Sequence, residues 1–387
     1  MFRKLIISAT AVAVLFSCSP KYVKPSTDST PQSDADRLEF AVDFFKKTNQ
    51  AVPHDENLLV SPYSAAVALS MLEEGAEGET KAEFDDVLDG ILYAAEDLGG
   101  GTDITVKSAN SLWLSDNFSV RNRYVGLLQK DYDAFVTVQD FSDPATVKEI
   151  NNWCSEHTAG KIGHILDELS PNDVMVLINA LYFNAPWLDA FDENATTKAV
   201  FNGVSEEKNV SMMCRQGMFE YAEYQGCQIV RLPYAGGRYS MLVVLPPSGW
   251  SIDAMLPYVN SSILKNVLSM NSKQEVVLKM PKFRLETSLV LDNPLKKMGI
   301  STAYSPAADF NGISESGPLS LGTVKQKCYI DVTEKGTEAA AVTSAQVRLT
   351  SASPRPIKRM TVDRPYLFLI SDSQTNTILF VGKVVNL

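Results

Sequence analysis

A segment of 30 residues between Glu334 and Pro365 constrains the fold of this 387-residue chain more than any other feature. Runs typical of β-strands lie on both sides of it, at 329–332 and 366–370. From Ala339 to Val362 the segment has no acidic and no aromatic residue, so we expect none of it to anchor a core. Long connections without secondary structure are uncommon inside compact domains, and most of them are either functional or disordered.

Alternate residues at the start of this segment are all small. Side chains on a β-strand alternate between two faces, so residues spaced by two share a face. One such face consists of Thr337, Ala339, Ala341, Thr343 and Ala345. Small side chains would let this stretch slide between two strands that already pack on a core. The pattern predicts a segment that inserts into a sheet, although an idle Ala-rich linker could show it by chance.

The rest of the chain interleaves helical and extended patterns. With 45% hydrophobic and 21% charged residues it can bury a large core, which excludes global disorder, collagen and coiled coil. Apolar spacing predicts an amphipathic helix over 38–47, and Pro62 after Ser61 predicts the start of a buried helix through 64–72. Strands are predicted mainly in the second half, at 174–183, 228–233, 239–245, 275–279 and 366–370. This segregation indicates an α+β fold with large antiparallel sheets.

The first residues predict that the protein is exported and located at the cell envelope. A basic start and a short apolar run predict a signal peptide over 1–17, since about 20 apolar residues are needed to span a bilayer. Cys18 then ends a stretch that resembles a bacterial lipobox, which implies a lipid anchor, and Ser19 after it points to the outer membrane. The alternative is an ordinary signal peptide followed by a free thiol. Residues 18–36 are predicted to be a lipidated tether, and 37–387 the folded body.

Few residues form a recognisable catalytic or metal-binding pattern. The chain contains no GxSxG, HExxH, Walker or GxGxxG motif. An SxxK match at Ser205 and an SDN match at Ser115 stand in the reverse order to that of penicillin-recognising hydrolases, and no KTG follows, so a hydrolase is disfavoured. Outside the leader the cysteines are Cys154, Cys214, Cys227 and Cys328, and none has the spacing of a metal ligand pair. We expect no metal and no cofactor, and whether these thiols pair stays open.

Motifs along the whole body resemble the serpin family. Residues 331–341, Asp-Val-Thr-Glu-Lys-Gly-Thr-Glu-Ala-Ala-Ala, are similar to the hinge that precedes the reactive loop of that family. Further matches in the right order are 57–64, 150–153, 179–183, 281–283, 309–312, 363–368 and 380–384. The resemblance implies a serpin fold with a large central sheet, two further sheets and eight or nine helices.

The resemblance also implies a function as a suicide inhibitor of serine-type proteases, not an enzyme. The exposed loop, about 336–362, would be cut by the protease and then insert into the central sheet. The hinge residues implied are Glu334, Gly336, Thr337, Ala339, Ala340, Ala341 and Thr343. The expected partner is a target protease, with the membrane reached only through the lipid. We expect a monomer, and the net charge of −11 disfavours nucleic acid as a partner.

Counting 16 residues past Glu334, as in inhibitory members, assigns the reactive bond to Thr350-Ser351. The segment is a few residues longer than is usual, so bonds beginning at Arg348 and Leu349 remain alternatives. Leu349 and Thr350 favour an elastase-like or subtilisin-like target, whereas Arg348 would suit a trypsin-like one.

A set of polar residues would line the point where the central strands separate. By resemblance the shutter and breach residues are Asn57, Ser61, Ser64, Asn179 and Trp187. Gln326 stands where the family usually has His, so the network would lose its pH dependence while the amide still donates and accepts. The competing hypothesis is a non-inhibitory serpin that acts as a binding or structural protein of the envelope.

Overall fold

Two β-sheets with helices on their faces make up the part of the chain that the structure describes. The structure is a computed structural model, and it describes residues 31–88, 98, 104–170, 173–315, 319–338 and 356–387. The α-helices in these ranges are α1 Pro31–Asn49, α2 Pro62–Glu73, α3 Gly78–Leu88, α4 Asn122–Asp131, α5 Pro144–His157, α6 Ile252–Met255, α7 Ser261–Leu268 and α8 Asp292–Met298. Short 3₁₀ helices span Glu193–Ala195, Leu256–Tyr258 and Thr302–Tyr304.

The strands are interleaved with the helices along the chain and are most frequent in its second half. They are β1 Leu58–Val60, β2 Thr105–Ser115, β3 Phe135–Gln139, β4 Met175–Pro186, β5 Thr197–Asn202, β6 Glu207–Tyr224, β7 Cys227–Pro233, β8 Tyr239–Leu245, β9 Lys273–Pro281, β10 Phe283–Val290, β11 Thr323–Thr333, β12 Gly336–Thr337, β13 Lys358–Thr361, β14 Tyr366–Asp372 and β15 Ile378–Val384. The α+β class predicted from the sequence is confirmed.

Helix α2 begins where the sequence predicts it. The Ser61 side chain accepts a hydrogen bond from the backbone N–H of Ser64 at 3.1 Å, and Pro62 occupies the first turn, where it needs no N–H partner. Residues Pro62 to Leu72 are all buried, because this stretch has no charged residue and lies inside the core.

The smaller sheet, which we call the central sheet, has six strands in the order β10-β11-β12-β4-β2-β3. Strands β11 and β4 run parallel to each other, as do β2 and β3, while the other neighbours are antiparallel. Helix α2 packs with β4 in the main hydrophobic core, on the inner face of this sheet. The outer face is covered by α5 and by residues 158–170, which are called the strap.

The second sheet differs from the expectation of two further sheets. It is one sheet of nine strands. The 18-residue β6 joins what would otherwise be two separate sheets, because different parts of it pair with different neighbours. The first part of β6 pairs with β5 and the middle with β9, whereas its end pairs with β7.

The long segment between Glu334 and Pro365 contains, besides β12, a strand that the sequence did not predict. Residues Lys358–Thr361 form β13, which pairs in parallel with β9. Met360 and Val362 are fully buried, so the expectation that nothing in this segment joins the core is wrong. Their apolar side chains alternate with Thr361, which is the period of a strand buried on one face.

No helix in the described ranges is both long and apolar enough to cross a membrane.

Candidate functional site

The hinge residues Gly336 and Thr337 lie between the two middle strands of the central sheet. As β12, they pair with Thr333 and Val332 of β11 on one side. On the other side they pair with Pro186 and Ala185 of β4. Farther along, β11 and β4 pair directly with each other, from Thr323 and Val176 to Cys328 and Leu181. The sheet is therefore open at one end, and the first two residues of the hinge already occupy the opening.

Glycine is the only residue type that fits at position 336 without displacing the neighbouring strand β4. Its φ is +150°, and a Cβ atom there would lie 2.2 Å from the carbonyl oxygen of Ala185. Both the backbone conformation and the close approach require glycine.

Glu334 fixes the turn that leads from β11 into the hinge. Its carboxylate accepts a hydrogen bond of 2.7 Å from the hydroxyl of Thr196, and it lies 2.8 Å from Nζ of Lys282. Burial opposes the charged form, but the bonds from Lys282 and Thr196 outweigh it and lower the pKa of Glu334. The ionised carboxylate therefore stabilises this turn.

Trp187 and Tyr234 hold the other side of the hinge. Nε1 of Trp187 donates to the backbone carbonyl of Thr333 at 2.9 Å. The indole ring stacks on Tyr234, with 4.4 Å between ring centroids. The hydroxyl of Tyr234 lies 2.7 Å from Oγ1 of Thr337, which is fully buried. Sequence reasoning missed Tyr234, because nothing in its local sequence indicates that the residue after β7 reaches the central sheet.

A buried polar cluster lies beneath the closed part of the same two strands. Its residues are Ser61, Ser64, Asn110, Asn179 and Gln326. Oε1 of Gln326 accepts from the N–H of Ser61 and Nε2 donates to the carbonyl of Ser61, both at 2.9 Å. Asn179 donates to the carbonyl of Ser64 at 2.9 Å and to Oδ1 of Asn110. Gln326 and Asn179 also meet directly, at 3.3 Å, so one amide of β11 and one of β4 are joined across the line along which the sheet must part.

The membership of this cluster differs from the sequence expectation at two residues. Asn110 was missed, although a polar residue in a buried strand is a usable signal, and β2 places it opposite Asn179. Asn57 was expected in the cluster and is not there. It binds the backbone of Val385 and Asn386 at 2.7 and 3.1 Å, because β1 pairs with β15 and thereby brings Asn57 beside the residues that follow β15.

The strap covers the outer face of the sheet above these residues. Asn151 of α5 fixes it by accepting from the N–H groups of Ile165 and Leu166 and donating to the carbonyl of Leu166. Lys327 of β11 donates to the carbonyl of His164 at 2.5 Å. A strand that enters between β11 and β4 must therefore pass beneath the strap.

The remaining candidate residues either lie elsewhere or outside the described ranges. His164 pairs with the exposed Asp167 at 2.7 Å, and His157 stacks on Trp153. The cysteines in the described ranges are free thiols, and burial raises the pKa of Cys154 to about 12, so that thiol stays protonated at neutral pH. Outside the described residues lie Cys18, Ala339, Ala340, Ala341, Thr343, Arg348, Leu349, Thr350 and Ser351.

Comparisons with known proteins agree with this arrangement. The family described as Serpin (serine protease inhibitor) matches residues 35–387. An uncharacterized serpin-like protein of Thermococcus kodakarensis is 34% identical over 364 residues, which cover 90% of this chain and 84% of that protein.

Two solved structures have similar folds. The native state of tengpin, a thermophilic serpin, has a TM-score of 0.85 and 29% identity, covering 92% of this chain and 95% of that one. Human thyroxine-binding globulin, crystallised with thyroxine, has a TM-score of 0.83 and 28% identity, covering 92% of this chain and 98% of that one.

Proposed function

The chain belongs to the serpin family, and on that premise we propose that it inhibits a serine-type protease as a suicide substrate. The protease cuts the loop that follows the hinge, and the freed N-terminal part of the loop then inserts between β11 and β4. The protease stays attached to that inserted part as an ester.

The position of β12 is the observation that carries this proposal. Gly336 and Thr337 already pair with a strand on each side, antiparallel to both. Beyond them, six residue pairs of β11 and β4 are joined directly and would have to separate. A strand continuing from β12 would take hydrogen bonds from both neighbours, in the place where they now bond to each other.

The chemical step is an acyl transfer to the protease. The hydroxyl oxygen of the protease serine attacks the carbonyl carbon of Thr350 and forms an ester, while the C–N bond to Ser351 breaks and the new amine takes up a proton. Water would normally hydrolyse this ester. Insertion of the loop occurs first and moves the attached protease by roughly 50 Å, since about fifteen residues at about 3.3 Å each are added to the strand. The movement pulls on the ester and takes it out of the geometry in which water could attack it.

Insertion can supply enough free energy to distort a protease. About a dozen new backbone hydrogen bonds at roughly 1 kcal/mol net each amount to on the order of 10 kcal/mol. A typical protease domain is stable by about 5 to 15 kcal/mol, so the two quantities are comparable.

The test is incubation with elastase, subtilisin and trypsin, followed by denaturing electrophoresis. We expect a covalent complex that survives denaturation, together with a released C-terminal peptide. Sequencing that peptide identifies the reactive bond. A first residue of Ser351 supports the Thr350-Ser351 bond and an elastase-like or subtilisin-like target, whereas Leu349 as the first residue indicates cleavage after Arg348 and a trypsin-like target. If each of the three proteases cuts the chain and none forms a stable complex with it, the proposed inhibition is contradicted for all three.

A second candidate function is that of a non-inhibitory binding protein. An apolar cavity of about 120 Å³ lies between α1, α7 and the second sheet, lined by residues such as Phe45, Ile229 and Leu264. The similarity to thyroxine-binding globulin, which was crystallised with thyroxine, favours a small-molecule ligand, and the apolar lining of this cavity favours an apolar one. This candidate predicts an intact protein that binds apolar ligands and forms no complex with any protease.

For the location of the protein we propose lipid attachment at Cys18 and retention on the outer membrane. The support is the sequence alone, in which Leu15, Phe16 and Ser17 precede the cysteine after a basic, apolar leader. Metabolic labelling with a radioactive fatty acid tests it. The wild-type chain should incorporate label, and Cys18→Ala should not. Equal labelling of both chains would contradict the anchor.

A further inference from the structure

Glu338, the residue after β12, holds its backbone in a conformation that insertion must change. Its φ is +55°, in the left-handed region that is disfavoured for residues with a Cβ atom. Its N–H donates to the carbonyl of Asp331 at 2.8 Å, one step beyond the pair formed by Thr337 and Val332. Glu338 is therefore in register with β11, yet its backbone conformation turns the chain out of the strand direction at that residue.

The side chain of Glu338 is buried on the outer face of the sheet. It is 4% exposed, and its Oε2 lies 3.4 Å from Nζ of Lys161. Within the part of the chain that the structure describes, Oε1 accepts no hydrogen bond of good geometry. Burial raises the pKa of the Tyr182 phenol to about 12; a hydrogen bond from Asn184 opposes this rise and the carboxylate of Glu338 adds to it. Lys161 is the cation that is paired with this buried carboxylate.

Lys161 is held in place independently of the hinge. It belongs to the strap, and its ammonium lies 5.4 Å from the ring centroid of Tyr329 on β11. The neighbouring Ile162 donates its N–H to the hydroxyl of Thr158, which itself bonds to the last turn of α5. The position of the cation is thus set by the strap and the sheet.

We propose that Lys161 and Glu338 form a latch that keeps the loop from inserting before it is cut. This inference rests on the proposed function, since it concerns the same insertion. For residue 339 to enter the sheet, Glu338 must change from a left-handed to an extended conformation, which redirects its Cα–Cβ bond and moves the carboxylate from the position in which it lies 3.4 Å from Lys161. The ion pair stabilises only the conformation before insertion, so it raises the barrier. Lys161 is a positioning residue that never touches the protease.

The test compares the rates at which uncleaved proteins insert their own loops. Wild type, Lys161→Met and Glu338→Gln are held at one temperature below melting. The fraction that resists nicking by subtilisin and has gained heat resistance is then followed in time. A partly exposed ion pair is worth a modest amount, so each variant should convert about threefold to tenfold faster. The double variant should be no faster than the single ones, because both remove the same contact.

Lys47→Met is a matched control. Its ammonium lies 3.9 Å from the carboxylate of Asp43, one turn earlier on α1, and its side chain is 30% exposed against 38% for Lys161, but neither residue of this pair belongs to the hinge or to the central sheet. The control should convert at the wild-type rate. An unchanged or slower rate in Lys161→Met, or an equal acceleration in the control, overturns the latch. Failure of the proposed function can be told apart from failure of the latch. If the proposed function fails, nicked wild-type protein gains no heat resistance.

Discussion

The hydroxyl of Tyr234 lies 2.7 Å from Oγ1 of Thr337, so the residue that follows β7 of the second sheet contacts the threonine that already lies in the opening of the central sheet. The tyrosine ring itself stacks on Trp187, whose backbone N–H donates to the carbonyl of Lys335. Tyr234 and Trp187 therefore hold the hinge in place from the inner face of the sheet, at the point where insertion would begin. Substitutions at these contacts and in the polar cluster beneath the sheet should have the clearest effects on insertion and stability.

Replacing Thr337 by arginine should convert the inhibitor into a substrate. The position is fully buried against Tyr234 in the intact protein, so an arginine there should displace the hinge from the sheet, and insertion would then have to bury an unpaired cation at a cost of several kcal/mol. The chain should still be cut by the target protease but form no complex that survives denaturation. Thr337→Ser keeps the hydroxyl and is the control. Undiminished complex formation by Thr337→Arg would contradict the assigned inserting face.

Removing the partner of Glu334 should destabilise the protein in a manner that depends on pH. Lys282→Met leaves a carboxylate that is 7% exposed without its cation, which should cost about 2 kcal/mol at neutral pH. The pKa of Glu334 is lowered in the folded protein, so its contribution is present above the ordinary value of 4.5 and is lost as the pH falls through the lower folded value. The difference in melting temperature between the two proteins should shrink over that range.

The control for this prediction is Lys358→Met. That lysine is about as exposed as Lys282, but its partner Glu223 is 51% exposed and can be solvated by water. Its loss should change the melting temperature far less at neutral pH. Equal effects of the two variants would mean that the Glu334 carboxylate is solvated as well, and that Lys282 does not hold the turn into the hinge.

The polar cluster should become sensitive to pH when Gln326 is replaced by histidine. Its five residues are Ser, Asn and Gln, none of which titrates, so the cluster itself gives the wild-type protein no pH dependence between pH 5 and 8. A buried imidazole would have a lowered pKa and remain neutral when folded. The stability of Gln326→His relative to wild type should therefore fall as the pH drops below about 6.5, the ordinary value for histidine. A constant difference across this range would contradict the burial of position 326.

Much of the fold could be read from local patterns. Strand β8 has the bounds predicted for it, and β7 and β14 begin or end within two residues of prediction, because β-branched and aromatic runs flanked by turn residues specify buried strands. Helix α2 was predicted from Ser61, Pro62 and the apolar run 64–72 that follows them. These elements share a local cause that is visible in a few consecutive residues.

Other parts depend on contacts between distant residues. Strand β6 was missed because its residue types do not follow its burial: the charged Arg215 is buried, whereas the apolar Met218 is exposed. Tyr234 and Asn110 act through partners 103 and 69 residues away, and no local signal names those partners. Asn57 was misassigned for the same reason, since the pairing of β1 with β15 decides its neighbours.

The melting temperature before and after the loop is nicked tests the central claim most directly. Subtilisin or elastase should cut between Val347 and Ser353, and the nicked protein should melt about 10 to 15 °C higher, given roughly 10 kcal/mol from insertion and about 1.4 °C per kcal/mol for a folded body of about 350 residues. Such a rise would mean that the intact chain is held in a conformation from which cutting releases it. A nicked protein that melts at the same temperature as the intact one, or lower, would contradict insertion and with it the proposed inhibition.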